Sequence, residues 1–419
     1  MNVTASGKSE LKVLFISPCG LYEGMKGWPE YNLAKELVRE GCEVVAFTST
    51  SYIKRVLKYP IKHFEVINGI RVYRFPEIFH ALPSNRHSPV ILINWKNLAL
   101  FVKALSKIDA DVIHAHFPFD LTIIASIFNE NFMHKPFILT THDPFIVTGK
   151  TPLIMSPGQL LSRFITLNPV AIRLALEGFL KSYPYRYATK IIAFTNYEKK
   201  ILVSYGVDER KIVIIPNGVS PERFKKLRVS FRDKYSITSK HIVLNVAQYL
   251  PFKGQRYLIH AIPLVLKEIP DVSFIFIGYN PALKPQLERL AQRLNVTDNV
   301  RFLVNVSEEN LASAYKECDI FVFPSLQESF GLVLLEAMAA GKPVIASDIG
   351  PIREIVRNGV EGFLTTPKNP HELAEKIITL LTDDELRLKM GMNAKKRVEE
   401  NFTWKVVAKR TLHLYKEVV

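Results

Sequence analysis

The densest grouping of reactive side chains lies between Pro324 and Pro343, in the run Pro324-Ser-Leu-Gln-Glu328-Ser329-Phe330-Gly331-Leu332-Val-Leu-Leu-Glu336-Ala-Met-Ala-Ala-Gly341-Lys-Pro343. It reads as a strand end, a polar loop, and a helix that starts near Phe330 and Gly331 and stops at Gly341. The first N–H groups of a helix lack intrahelical partners, and a glycine beside them lets a ligand approach the backbone, so such a start suits a phosphate. Glu328 precedes the helix and Glu336 lies inside it, with seven residues between them. Ionised carboxylates accept hydrogen bonds from paired hydroxyls. Two of them flanking a phosphate-binding helix start suggest a sugar nucleotide, with sugar hydroxyls at one and ribose hydroxyls at the other. Two ordinary solvated carboxylates are the bland alternative, and Phe330-Gly331 between them speaks against it.

The elements that must carry these residues are legible as alternation. Short apolar runs ending in turn residues alternate with stretches of helical period, the pattern of strands buried on both faces and joined by crossover helices. Strands are expected at 11–17, 43–48, 69–75, 112–116, 137–141, 190–194 and 212–216, with a helix over 28–40. The pattern restarts after Pro216-Asn217-Gly218, giving strands at 242–246, 273–277, 300–303, 320–324, 343–347 and 362–364, with helices at 285–294 and 331–340. The expected fold class is α/β: two facing Rossmann-like doubly wound domains, residues 1–218 and 219–402, with the working site in a cleft between them. His114 and His116, two apart on a strand, share a face and could ligate a metal, but no third ligand cluster stands out. The pair Lys253-Gly254 is by itself an ordinary loop signal.

Composition bounds the rest. With 419 residues, 48% hydrophobic, and Lys+Arg 55 against Asp+Glu 40, the chain is neither disordered nor fibrous and carries a formal charge of +15. That charge predicts attraction to something anionic: nucleic acid, nucleotide phosphates or a membrane surface. Cys19, Cys42 and Cys318 are far apart and follow no metal-ligand spacing, which reads as a reduced, cytoplasmic chain. The apolar stretch after the polar residues 1–10 is too short for a signal peptide, and no run of about 18 apolar residues suggests a spanning helix.

The stretch Glu328 to Glu336 resembles the E-x7-E signature of the retaining glycosyltransferases of the GT-B fold, in particular glycosyltransferase family 4, group 1. The resemblance extends over nearly the whole chain, through Asp111-Val-Ile-His-Ala-His116, Ile215-Pro-Asn-Gly-Val219 with Phe224, Lys253-Gly254, Ser347-Asp-Ile-Gly350 with Glu354, and Asn358-Gly-Val-Glu-Gly362. It implies that Glu328 holds hydroxyls of the donor sugar and Glu336 the ribose. The backbone of Phe330, Gly331 and Leu332, with Ser329 beside it, would meet the diphosphate and sugar. Lys253 would neutralise the departing diphosphate and His116 would reach the reacting sugar, making His116, Lys253 and Glu328 the catalytic set. His142, in Thr140-Thr-His-Asp143, is an acceptor-side candidate. The histidine pair is then read as one catalytic and one structural residue, and His142 as open between the two roles.

Two departures stand out. Where the family carries Gly-Arg, this chain reads Ala247-Gln248, so a neutral amide stands in for a second diphosphate clamp and Arg256 is a candidate replacement. The family's first-loop Gly-Gly aligns best with Gly24-Met25, leaving Gly24 as the donor-binding residue. The resemblance further implies retention of anomeric configuration and catalysis without a metal or other cofactor. The implied partners are a UDP- or GDP-sugar and a glycan or lipid-linked acceptor. Basic, apolar stretches at Lys54–Lys62 and Lys150–Lys190 read either as an anionic membrane surface, placing the protein peripherally at the cytoplasmic face, or as a core helix with a solvated basic rim, or as a lid. The C-terminal helix, 403–419, is expected to pack back on the first domain. A sugar-nucleotide epimerase and a non-catalytic sugar-nucleotide binder are the alternatives; no nucleic-acid-binding motif supports nucleic acid as a partner.

Overall fold

A computed structural model describes residues 11–18, 21, 28–50, 62–82, 90–142, 180–225, 227–279 and 281–419. The chain divides into two units, one running through Pro216 and taking back Val407–Val419, the other Asn217–Val406.

In the first unit the strands are β1 (Lys12–Ser17), β2 (Glu43–Ser49), β3 (Phe64–Ile67), β4 (Ile70–Phe75), β5 (Phe79–Leu82), β6 (Val90–Ile93), β7 (Val112–His116), β8 (Phe137–Thr140), β9 (Lys190–Ala193) and β10 (Ile212–Ile214). The main sheet runs β10-β9-β8-β7-β1-β2-β4-β3. Val13–Ile16, Val112–Ala115 and Phe137–Leu139 are buried throughout, which is why these strands read as unbroken apolar runs rather than alternating ones. The strand order reverses between β1 and β7, so the carboxyl end of β7, where His116 sits, borders the switch point at which open parallel sheets bind ligands.

One part of this sheet was not expected. Asn68 and Gly69 both adopt left-handed backbone, at φ 48° and 82°, and the two-residue turn they form folds β3 antiparallel onto β4. The reading of 69–75 as the start of a strand absorbed the turn glycine and hid the hairpin. A second hairpin, β5 with β6, forms a separate two-stranded sheet.

The second unit carries β11 (His241–Val246), β12 (Val272–Gly278), β13 (Val300–Val304), β14 (Ile320–Phe323), β15 (Val344–Ser347) and β16 (Gly362–Thr365), in the order β13-β12-β11-β14-β15-β16. All five pairings are parallel. Val243, Phe274, Phe276, Ile320 and Val322 form its core with Leu258 and Ile262 of the helix Gln255–Glu268. Here the order reverses between β11 and β14, and the loops leaving these two strands carry Lys253 and Glu328.

The segment after the second unit's last long helix returns beside Val219: the Val219 N–H donates to the Phe402 carbonyl at 2.8 Å and the Trp404 N–H to the Val219 carbonyl at 3.3 Å. The final helix is Trp404–Val418, whose Tyr415 is fully buried in the first unit. Among the described residues no helix is long and apolar enough to cross a membrane. Cys42 and Cys318 are buried and in no disulfide among the described residues; Cys19 lies outside them.

Candidate functional site

Lys253 and Glu328 are brought together by a backbone seam. Gly254 adopts φ +70°, and a Cβ there would lie 1.9 Å from the Pro324 carbonyl oxygen, so only glycine lets the loop after β11 close on the end of β14. The seam is fixed by the Leu326 N–H donating to the Phe252 carbonyl at 2.7 Å and by the Ser325 hydroxyl donating to the same carbonyl at 3.2 Å. Lys253 Nζ then stands 2.5 Å from Glu328 Oε1, both side chains largely buried. The ammonium also lies over the rings of Phe252 and Phe323, at 5.2 and 5.7 Å from their centroids. A half-buried cation and carboxylate at a strand switch point can bind an anionic group and a hydroxylated one side by side.

Beside them the helix Leu332–Ala339 begins. Gly331 is its N-cap at φ +99°, and no side chain caps it. Ser329 and Leu332 are half-buried, while Phe330 is buried with its ring edge toward Phe402. Glu336 sits one turn further on, and its two oxygens are held separately: Oε1 accepts from Arg223, Oε2 from the Tyr315 hydroxyl at 2.8 Å. Arg223 also donates to Glu308 at 2.8 Å. Burial and the adjacent Glu336 raise the Tyr315 phenol well above its ordinary value, so it remains a donor. A carboxylate has about four lone-pair sites, and two remain here for hydroxyl donors.

The Gln248 side-chain amide donates to the Tyr279 hydroxyl, and the Gln248 backbone carbonyl accepts from the Gln255 side-chain amide at 2.8 Å. Arg256 stacks on the Tyr257 ring at 5.3 Å and, with Pro251, His260 and Arg293, lines a cavity of about 520 Å³ beside the helix Lys284–Arg293.

The first unit gathers a different set. His116, at the end of β7, and His142, just after β8, meet through His116 Nδ1 and His142 Nε2 at 2.9 Å. His142 Nε2 is also 3.8 Å from Glu30 Oε1, on the first turn of the helix Pro29–Arg39. Glu30 and His116 are 2% and 1% exposed, and both Glu30 oxygens and His116 Nε2 lack a hydrogen-bond partner among the described residues. Phe117 and His142 both take left-handed backbone, at φ 59° and 58°, and their rings stack at 4.3 Å. Strained backbone at the ends of two adjacent strands is a mark of a working site. His114, stacked on His116 at 4.3 Å, has both ring nitrogens engaged, by the Tyr415 hydroxyl at 2.6 Å and Thr140 Oγ1 at 2.7 Å, so it is structural.

Burial sets the protonation of this cluster. It lowers His114 and His142 to about 3, with the neighbouring His142 adding to the effect on His114, and puts His116 well below its ordinary value. It raises Glu30 to about 7. His116, His142 and Glu30 place one ligand atom each within 4.8 Å of one another and so form a three-residue set that could hold a metal ion. The expectation was a His114–His116 pair with no third ligand cluster; the set found instead joins His116 to His142 and Glu30 and leaves out His114. Metal-bound imidazole normally donates its other N–H to an outer partner, and His116 Nε2 has none among the described residues, so these residues fit a hydrogen-bonded cluster better than an ion site.

Sequence reasoning missed Glu30, Arg223 and Tyr315. An acidic residue in a helix's first turn needs no explanation beyond the helix dipole, which is why Glu30 gave no signal. Gly24, residues 51–61 and residues 143–179 lie outside the described residues, and with them most of the two basic stretches.

Two family models match the chain, glycosyltransferase family 4 over residues 31–223 and glycosyl transferases group 1 over residues 228–397. An uncharacterised glycosyltransferase of Methanocaldococcus jannaschii is 30% identical, with 92% of each chain covered. A D-inositol 3-phosphate glycosyltransferase of Corynebacterium efficiens is 37% identical over 51% of this chain and 52% of its own. Among solved structures, a glycosyltransferase from Rickettsia africae superposes with a TM-score of 0.72 at 21% identity, covering 98% of this chain and 99% of that one. An Anabaena protein crystallised with UDP and glucose gives 0.68 at 22%, over 97% and 100%.

Proposed function

The chain belongs to the group 1 glycosyl transferases of family 4, with the GT-B fold, and on that premise we propose that it is a retaining glycosyltransferase that moves a sugar from a nucleoside diphosphate to a glycan or lipid-linked acceptor. The observation that carries the reading is the Lys253–Glu328 pair beside the glycine-capped helix that leads to Glu336. Breaking the anomeric C–O bond puts negative charge on the diphosphate and positive character on the sugar. Lys253 and the backbone at Phe330, Gly331 and Leu332 meet that negative charge; Glu328, released from Lys253 as the diphosphate takes its place, turns to sugar hydroxyls. Glu336 takes the ribose on the lone pairs that Arg223 and Tyr315 leave open, and His116 takes the transferred sugar. Donors aimed at developing charge are typically worth about a hundred- to a thousand-fold in rate each. The charge stabilisation assigned here comes from the protein's own groups and needs no metal.

UDP is supported as the donor nucleotide by the Anabaena structure, and GDP stays in the comparison. Melting curves with UDP-, GDP- and ADP-sugars identify the base, because a ligand that binds only the folded state raises the melting temperature. NMR of the anomeric proton in donor and product then reads retention; an inverted product contradicts the mechanism. A nucleotide sugar left intact or epimerised, with no nucleoside diphosphate released in the presence of acceptor, favours the epimerase or a binder, for which Gln248, a neutral group tied to Tyr279, is the supporting feature. For a lipid-linked acceptor the basic composition of the two stretches predicts attraction to anionic lipid, so the protein is expected to sediment with anionic vesicles at low salt and to be released at high salt. No sedimentation at low salt removes that part of the reading.

A further inference from the structure

Glu30 is a buried carboxylate whose two oxygens have no hydrogen-bond partner among the described residues. Its side chain lies on the first turn of the helix Pro29–Arg39, and among the described residues the ionisable groups facing it are His142, from the turn after β8, and His116, from β7. Behind these stand His114, stacked on His116, and Tyr415, hydrogen-bonded to His114.

The single hydrogen bond between His116 Nδ1 and His142 Nε2 has two forms in neutral rings. In one, His142 Nε2–H donates, His116 Nδ1 accepts, and the His116 proton is on Nε2. In the other, His116 Nδ1–H donates and His116 Nε2 is a bare acceptor. These forms present opposite chemistry at His116 Nε2, a buried nitrogen with no hydrogen-bond partner among the described residues. A carboxylate 3.8 Å from His142 Nε2 attracts a proton to that nitrogen and so favours the first form.

We propose that Glu30 is a positioning residue: its carboxylate keeps the proton on His142 Nε2 and thereby holds His116 as the Nε2–H tautomer, a donor for a hydroxyl or ring oxygen of the bound sugar. The role of His116 toward sugar rests on the reading above; the tautomer relay does not. Because burial raises Glu30 to about 7, the relay titrates near neutrality while both histidines stay uncharged. The carboxylate loses its hold as pH falls through that value and regains it as pH rises.

The test uses the full chain labelled with ¹⁵N-histidine, with the two nitrogens of each ring distinguished by their long-range couplings and His116 assigned from His116→Asn. The wild-type protein is expected to show His116 protonated on Nε2 at about pH 8, with the tautomer ratio shifting toward Nδ1–H by about tenfold on acidification to about pH 6. Glu30→Gln is expected to show a ratio that does not change over that range. One tautomer ratio at both pH values in the wild-type protein overturns the proposal without recourse to any variant. So does one tightly bound metal ion per chain that is lost in Glu30→Gln, which would make the three residues ligands. If the titration is present but His116→Asn transfers sugar normally, the relay stands and the role of His116 in transfer fails.

Discussion

Glu30 and the buried histidines pull the stability of the first unit in opposite directions as pH changes. With Glu30 raised to about 7 against an ordinary value of 4.5, the native state binds one more proton than the unfolded chain between those values, so stability falls as pH rises through the window. Fully expressed, that costs about 3 kcal/mol. His114 and His142, lowered to about 3, stay neutral when the unfolded chain has already taken up protons, so their contribution falls as pH drops below about 6.5. Glu30→Gln is therefore expected to raise the melting temperature at about pH 8 and leave it nearly unchanged at about pH 4.5. A gain at acid pH and none at alkaline pH contradicts burial as the cause. The cost is what a preorganised proton relay requires, a case of stability given up for function. At this scale Glu328 and Glu336 stood out because they flank one helix start on a single chain segment, whereas Lys253, 75 residues before Glu328, entered only through the family resemblance. Glu30, Arg223 and Tyr315 did not stand out, because what makes each informative is a partner more than 20 residues away.

Among the elements, two glycines separate the effect of conformation from that of contact. Gly254 and Gly331 both have positive φ, but a Cβ at Gly254 meets backbone, the Pro324 carbonyl oxygen at 1.9 Å, whereas one at Gly331 meets the ends of Ile352 and Leu334 at 3.1 and 3.2 Å. Side-chain ends can move by a few tenths of an ångström and a strand end cannot. Gly331→Ala is expected to cost about 1–2 kcal/mol of left-handed strain, and Gly254→Ala clearly more, with the seam opened and Lys253 drawn from Glu328. Urea unfolding of the two variants measures this, and equal losses contradict the seam. The strands themselves were read to within two residues at either end because unbroken apolar runs mark strands buried on both faces. The β3–β4 hairpin was lost because Phe64–Ile67 alternates partly exposed residues and lacks such a run.

For the whole molecule, the charge of +15 first pointed equally to nucleic acid, nucleotide and membrane. The topology narrows it. In each unit the sheet order reverses once, and the chemistry-bearing residues leave the strands bordering that reversal: His116 from β7, Lys253 after β11 and Glu328 after β14. That placement follows from strand order, which a single sequence does not state; the switch points were expected only because the alternating pattern implied doubly wound sheets. The central claim, that Lys253 and Glu328 stabilise charge as a nucleotide sugar is cleaved, is tested most directly by the rate of nucleoside diphosphate release. The donor is the UDP- or GDP-sugar that stabilises the protein most, and the proteins compared are wild type, Lys253→Ala and Glu328→Ala, each shown to be folded by its melting curve. The expected result is a fall of about a hundredfold or more in turnover for each variant; release by either one within a few-fold of wild type would contradict the account.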